Sequence, residues 1–272
     1  MRELVDKFGR AITYLRISVT DKCNYRCTYC MPACGIEHKP HAQILRYEEI
    51  AQIVRVAVLL GISKVRLTGG EPLVKRNIEH LVGLVADTPG IGDVAMTTNA
   101  SLLTGEVARA LTDAGLQRVN ISLDTLDPER FRTLTRGGDI RHVFRGIDAA
   151  IYAGLAPVKV NMIVFDDTPA EEVDRMRQFC TGKGARLQTI RHFTLSDRQL
   201  QPGPLATDRP LPCEECNRLR LTADGYVKPC LHSDKEIKVN MQNISGSILE
   251  AVNERIKSGV SCSSRVMSQI GG

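Results

Sequence analysis

The sequence predicts an α/β protein built from parallel βα units. Two observations carry this: β-prone stretches alternate with helical ones six times before residue 194, and the polar motifs fall where strands end and loops begin. That end of an α/β barrel is the face on which such folds carry their chemistry. With 272 residues, the chain can bury one large core or two small ones.

Tyr14 to Val19 alternates apolar and polar residues as a strand does. Tyr47 to Leu60 spaces Ile50, Ile53, Val54, Ala57 and Val58 as a helix, and Gly61 ends it. Lys64 to Thr68 is the second strand and Ile78 to Val85 the next helix, broken at Pro89-Gly90. Strands follow at Val94–Thr97 and Arg118–Leu123, with a helix from Gly105 to Ala114 between them. Asp127-Pro128 opens a helix, and a longer one covers Ile140 to Ala153. Val158–Phe165 is β-rich, Ala170–Gly182 helical and Arg186–Phe193 strand-like. Six strands fall short of the eight of a closed barrel. Thr194 to Pro212, rich in proline, reads as a connecting loop, and the rest as a small appended module. The expected division is 1–193, 194–212 and 213–272.

Composition is that of a globular protein, with 43% hydrophobic and 25% charged residues. The formal charge of +5 is too mild for a nucleic-acid or membrane surface but suits a polyanionic small molecule. No apolar run approaches the roughly 18 residues of a spanning helix. Met1 to Arg10 lacks the apolar stretch of a secretory signal. Nine cysteines, an odd number and clustered, argue for metal binding in a reducing cytoplasm rather than a disulfide framework.

Cys23, Cys27 and Cys30 form a C-x3-C-x2-C triplet. Structural zinc closes its shell with four protein ligands, whereas three thiolates leave one position for an outside ligand. A zinc knuckle or a metal-free thiol cluster is the plainer alternative. Cys34 lies close enough to compete but reads as incidental. The triplet, with Tyr29 before its last cysteine, resembles that of the radical S-adenosylmethionine (radical SAM) enzymes. There a [4Fe-4S] cluster leaves one iron to chelate the methionyl group of SAM. The resemblance implies an open, partial (βα)6 TIM-like barrel with a small C-terminal auxiliary-cluster module.

Gly69-Gly70-Glu71-Pro72 follows the second strand. Taken alone it is also an ordinary strand-to-helix turn. Beside the triplet it resembles the family's GGEP motif, which implies Gly70 and Glu71 at the SAM site. Thr97-Thr98-Asn99 and Ser122-Leu123-Asp124 end strands three and four, where such residues also serve as turns and caps. The resemblance implies Ser122 as a SAM contact and Thr97 as a substrate contact.

Cys213, Cys216 and Cys230 give a second triplet, for which His232 offers a fourth ligand if the metal is zinc. The text from Cys216 to Gly225, with Pro229-Cys230-Leu231 and the terminal Gly271-Gly272, resembles the GTP 3′,8-cyclase family of molybdenum cofactor synthesis. This implies two [4Fe-4S] clusters and SAM as cofactors. Arg218, Leu219 and Arg220 would contact the nucleotide, and Gly271 and Gly272 would reach the active site. Arg16, Arg66 and Lys159 are the basic residues expected near the triphosphate. Arginine forks suit phosphate and ring acceptors.

In the implied reaction, a 5′-deoxyadenosyl radical takes hydrogen from the ribose C3′ of GTP, and the ribose radical attacks C8 of guanine. The resemblance also implies a reductant, a downstream cyclic pyranopterin monophosphate synthase and a homodimer. The chain departs from the family on strand six. Gln188 to Thr194 stands where relatives carry Arg-Phe-Ile-Glu-Tyr-Met-Pro, so Arg191 replaces an acid and Phe193 a SAM-contacting methionine. The segment before the second triplet is also shorter by a few dozen residues. A radical SAM enzyme acting on another nucleotide or on a peptide, and a non-enzymatic zinc module, are the rival readings.

Overall fold

The computed structural model describes residues 3–196 and 204–271. Part of the expected connecting loop (197–203) and Gly272 lie outside the described residues. The six expected strands are β1 (Tyr14–Ser18), β2 (Lys64–Thr68), β3 (Asp93–Thr98), β4 (Arg118–Ser122), β5 (Lys159–Val164) and β6 (Arg186–Arg191). Between them run α1 (Tyr47–Leu59), α2 (Ile78–Ala86), α3 (Gly105–Asp113), α4 (Pro128–Thr135), α5 (Ile140–Tyr152) and α6 (Ala170–Lys183). Local chemistry starts these helices. Thr104 Oγ1 accepts from Val107 N, and Asp127 Oδ1 from Arg130 N with Pro128 in the first turn.

Strands β1 to β6 lie side by side in order, all parallel. The C-terminal segment, from Arg218 within the second triplet onward, extends the same sheet. β7 (Arg218–Leu221) pairs in parallel with the free edge of β1, and β8 (Tyr226–Lys228) and β9 (Ile237–Lys238) continue antiparallel. Helices α7 (Ile244–Asn253) and α8 (Met267–Ile270) complete the chain. β7 alternates Arg-Leu-Arg-Leu and α7 spaces Ile244, Ile248, Ala251 and Val252 as a helix, so their local pattern is legible, whereas their pairing with the barrel is not. No helix among the described residues is long and apolar enough to cross a membrane.

The period-two alternation of the strands divides the sheet into two faces. Leu15, Ile17, Val65, Leu67, Val94, Met96, Val119, Ile121, Val160, Leu219 and Leu221 are buried in one core with the helices. The alternate positions form the opposite, inner face: Tyr14 and Arg16, Arg66, Thr97, Asn120 and Ser122, Lys159 and Asn161, Gln188, and Arg218 and Arg220. Closed barrels usually fill that interior with apolar layers. Here it is lined by cations and amides, so it is built around a polar ligand.

Candidate functional site

The first triplet occupies the loop after β1. That loop is fixed from two sides. Gly70 N donates to Thr20 O at 2.8 Å and Glu71 N to Lys22 O at 2.8 Å. A Cβ on Gly70 would stand 2.2 Å from Lys22 O, so only glycine permits this approach. From the other side, Arg136 Nη1 donates to Arg26 O at 2.7 Å and Met31 O at 2.9 Å. The Gly70 and Glu71 N–H groups are thus committed to the cysteine loop. A ligand ammonium at this turn would be met by carbonyl oxygens, which accept.

The thiols of Cys23, Cys27 and Cys30 lie close together and are free. Burial pushes Cys23 up to about 11, with Glu71 adding to the effect. Burial likewise pushes Cys30 up to about 12, helped by Cys23. Cys27 is raised further, by burial and then by Asp124, Cys30 and Cys23. Cys34 is exposed and its sulfur lies 3.6 Å from Gly35 O, outside the trio. Tyr29 donates to Asp124 Oδ2 at 2.6 Å, and Asp124 Oδ1 accepts from Ile163 N at 2.9 Å. This ties the cysteine loop to β4 and β5 through two side chains.

Glu71 is 1% exposed. Its carboxylate accepts from Leu73 N (3.0 Å), Thr98 Oγ1 (2.7 Å) and Asn99 N (2.7 Å), joining the ends of β2 and β3. Burial pushes its carboxyl up to about 7 against those three donors. Its side chain organises the turn. Ser122 is half-buried on the inner face opposite Asn161.

The expected basic residues meet in the barrel. Arg220, Arg16 and Arg66 are direct neighbours across β7, β1 and β2, hence a row on one face. Tyr14, opposite Arg218, accepts from Arg66 Nε at 2.5 Å. Burial opposes ionisation of its phenol, yet the charges of Arg16, Arg66 and Arg218 hold it below its ordinary value. Burial lowers Arg16 well below normal, with Arg220, Arg66 and Arg218 acting in the same direction. Burial and then Arg218 bring Arg220 down to about 10. Arg66 Nη1 donates to Thr97 Oγ1 at 3.3 Å. Lys159 is lowered by burial and by Arg118, Arg66, Arg209 and Arg186. So many crowded cations on a desolvated surface call for an anion. Leu219 is the exception: it is 1% exposed and packs with the helices, so only its main chain can face a ligand.

The tail joins the two triplets. Gly271 O accepts from Arg220 Nη1 at 2.6 Å and from Arg16 Nη2 at 3.3 Å. Gly271 has φ +72°, and a Cβ there would meet Thr68 Cγ2 at 2.6 Å. The Ser268 N–H reaches the Cys30 thiol. Arg220 in turn senses Cys216 and Cys230.

The second triplet has a different support. Arg255, 2% exposed, donates to Cys216 O (2.7 Å), Pro229 O (2.9 Å), Arg218 O (2.5 Å) and Asp6 Oδ2 (2.7 Å). Arg10 donates to Cys213 O (2.9 Å) and Asp6 Oδ2 (2.7 Å). One carboxylate therefore holds the two guanidiniums that fix all three cysteine segments. Burial would raise Cys216, but Arg255 and Arg218 bring it below its ordinary value. Cys230 is raised, by burial first and then by Cys216 and Cys213. His232 gives its main-chain N–H to Cys230, and its ring meets Phe193 edge-on at 5.3 Å. Arg191, the altered position of strand six, donates to Asp166 Oδ1 at 2.6 Å.

Both donor sets fit iron–sulfur clusters: three soft thiols each, free of disulfides and sheltered in a loop. Among the described residues, no His, Cys, Asp and Glu group is arranged to hold a single metal ion. Sequence reasoning missed Tyr14, Asn120, Asn161, Arg136, Arg255 and Asp6. The polar inner positions of β4 and β5 were legible as a period-two signal; the Asp6 network is not local and has none.

The Radical SAM superfamily model matches residues 17–180. A protein named GTP 3′,8-cyclase from Clostridium botulinum (strain Langeland) is 38% identical, over 99% of this chain and 100% of its own length. Its namesake from Petrotoga mobilis is 39% identical over 93% and 91%. The Clostridium alignment runs to 320 positions against a chain of 272 residues, so gaps open in the shorter chain. Among solved structures, Streptococcus suis SuiB bound to S-adenosylmethionine superposes with TM-score 0.67 at 14% identity, over 89% of this chain and 64% of its own. Native anSMEcpe with bound AdoMet gives TM-score 0.66 at 16% identity, over 90% and 81%.

Proposed function

The chain belongs to the radical SAM superfamily and, within it, to the GTP 3′,8-cyclase family, and on that premise we propose that it converts GTP to (8S)-3′,8-cyclo-7,8-dihydroguanosine 5′-triphosphate in molybdenum cofactor synthesis. The observation that carries the reading is the row Arg220, Arg16 and Arg66, joined by the tail to Cys30 of the first triplet and bordering Cys216 and Cys230 of the second. A peptide gives such a row of cations little to neutralise, whereas a triphosphate matches it.

When bound, the clusters and SAM supply the electron and the hydrogen-abstracting radical. The protein's own residues bind, orient and shield. Cys23, Cys27 and Cys30 would hold the first cluster, with Tyr29, Gly70, Glu71 and Ser122 shaping the SAM site around it. Cys213, Cys216 and Cys230 would hold the second, beside Arg220, so the base is turned toward that end of the barrel. Arg16, Arg66, Lys159 and Arg218 receive the triphosphate, and Thr97, held by Arg66, faces the sugar. Gly271 keeps Arg16 and Arg220 in place with its carbonyl. Holding both reacting carbons of one nucleotide against the polar inner face supplies proximity and orientation. The working context is the cytoplasm, with a low-potential reductant, a synthase that takes up the product and a second copy of the chain.

The test is anaerobic reconstitution followed by incubation of the reduced protein with SAM and GTP. The expected result is GTP-dependent 5′-deoxyadenosine together with a cyclised nucleotide. Deoxyadenosine formed without GTP consumption would keep the superfamily chemistry and overturn the substrate.

A further inference from the structure

The segment after the undescribed stretch does more than connect. Arg209 N donates to Thr189 O at 3.1 Å and Arg191 N donates to Arg209 O at 2.8 Å, a parallel bridge pairing Arg209 with Ile190 on the open edge of β6. Asp208 locks this placement: its carboxylate accepts from Thr189 N (2.8 Å) and Thr189 Oγ1 (2.9 Å), and its N–H donates to Thr189 Oγ1 (3.0 Å). Directly paired residues share a face, and Ile190 shares its face with Gln188. Arg209 thus stands on the inner face of the barrel, as one more residue beyond the last strand.

There it lines a cavity of about 310 Å³ together with Lys159, Arg186, Gln188 and Asp208. The Asp208 carboxylate is engaged by Thr189, which leaves the three basic groups in excess. Arg209 Nη1 is buried and has no hydrogen-bond partner among the described residues. A buried guanidinium donor left unmade is costly, and an anionic oxygen is the acceptor it fits best. Burial and then Arg218, across the opening on β7, lower its basicity, with Arg66 acting in the same direction. The pocket therefore continues the central cation row toward β5 and β6, away from the Cys216 and Cys230 end that Arg220 borders.

We propose that Arg209, delivered by the shortened connecting segment, joins Lys159 and Arg186 in binding the distal phosphates of the nucleotide and so sets the preference for a triphosphate over a monophosphate. This rests on the nucleotide reading above. The shortened segment rebuilds a wall of the chamber with a cation rather than leaving it open.

The experiment is anaerobic equilibrium binding of GTP, GMP and inorganic tripolyphosphate to the reconstituted full-length protein, for wild type, Arg209→Ala and Arg209→Lys. Iron content and melting temperature serve as folding controls. Loss of a charge-assisted contact predicts GTP and tripolyphosphate binding about 10- to 100-fold weaker in Arg209→Ala, with GMP affinity little changed and partial recovery in Arg209→Lys. Equal loss for GTP and GMP, or unchanged GTP binding in a folded variant, would overturn the proposal. If wild type binds tripolyphosphate in an Arg209-dependent way but neither nucleotide, the phosphate pocket stands and the GTP reading falls. If it binds none of the three, both fall.

Discussion

The two cysteine triplets hold the same number of thiols in opposite surroundings. The first sits among carboxyls: Asp124 and Glu71 face Cys27 and Cys23, and burial pushes all three thiols up. The second sits among guanidiniums, with Arg10 and Arg255 on its main chain and Arg255, Arg218 and Arg220 around its sulfurs. The first loop is held by steric fit to a glycine turn and the second by a buried charge network. The thiolate form that binds metal is favoured by positive surroundings and opposed by negative ones. Two loops of like sequence texture thus come to differ in what breaks them.

The largest expected effect separates their roles. Cys27→Ala should abolish 5′-deoxyadenosine formation, while Cys216→Ala should retain SAM cleavage and lose the cyclised nucleotide; each should lower iron from about eight to about four per chain. Loss of both products in Cys216→Ala would merge the two sites. Arg255→Met removes one partner from a buried ion network, and urea unfolding should show a loss of about 3–5 kcal/mol. The spectroscopic signature of the first cluster should persist in that variant.

Gly70→Ala tests the steric side. Forcing a Cβ against Lys22 O should cost about 1–3 kcal/mol and impair iron loading of the first triplet alone. A smaller effect is pH-dependent. Burial acts to raise the Asp6 carboxyl, but hydrogen bonds from Arg255, Arg10 and Phe8 hold it at about 2 rather than the ordinary 3.8. A depressed acid stabilises fully above its unfolded value and loses that contribution as pH falls toward the folded one. The loss should be about 2 kcal/mol between pH 4 and pH 2, and should vanish in Asp6→Asn. Smallest of all, Cys34→Ala should alter stability by no more than about 0.5 kcal/mol and leave iron content unchanged.

The six parallel strands and the helices between them are legible locally: alternation in Tyr14–Ser18, helical spacing from Ile50 to Val58, glycine or proline at the breaks. The sequence also singled out both triplets and the Gly70 turn, whose residues lie close in sequence, while the basic residues of the barrel were named through the family resemblance. Nothing local announces that β7 pairs with β1, that Gly271 bridges Arg16 and Arg220, or that Asp6 and Arg255, far apart in the chain, share a hydrogen bond; these come from the folded chain. The tertiary structure also moved Leu219 to the helix-facing side of its strand and brought Arg209 to the inner face. The reason is one of range. Propensity and periodicity act over a turn of helix or a few strand residues, whereas a charge network or a sheet register is fixed only when distant segments meet.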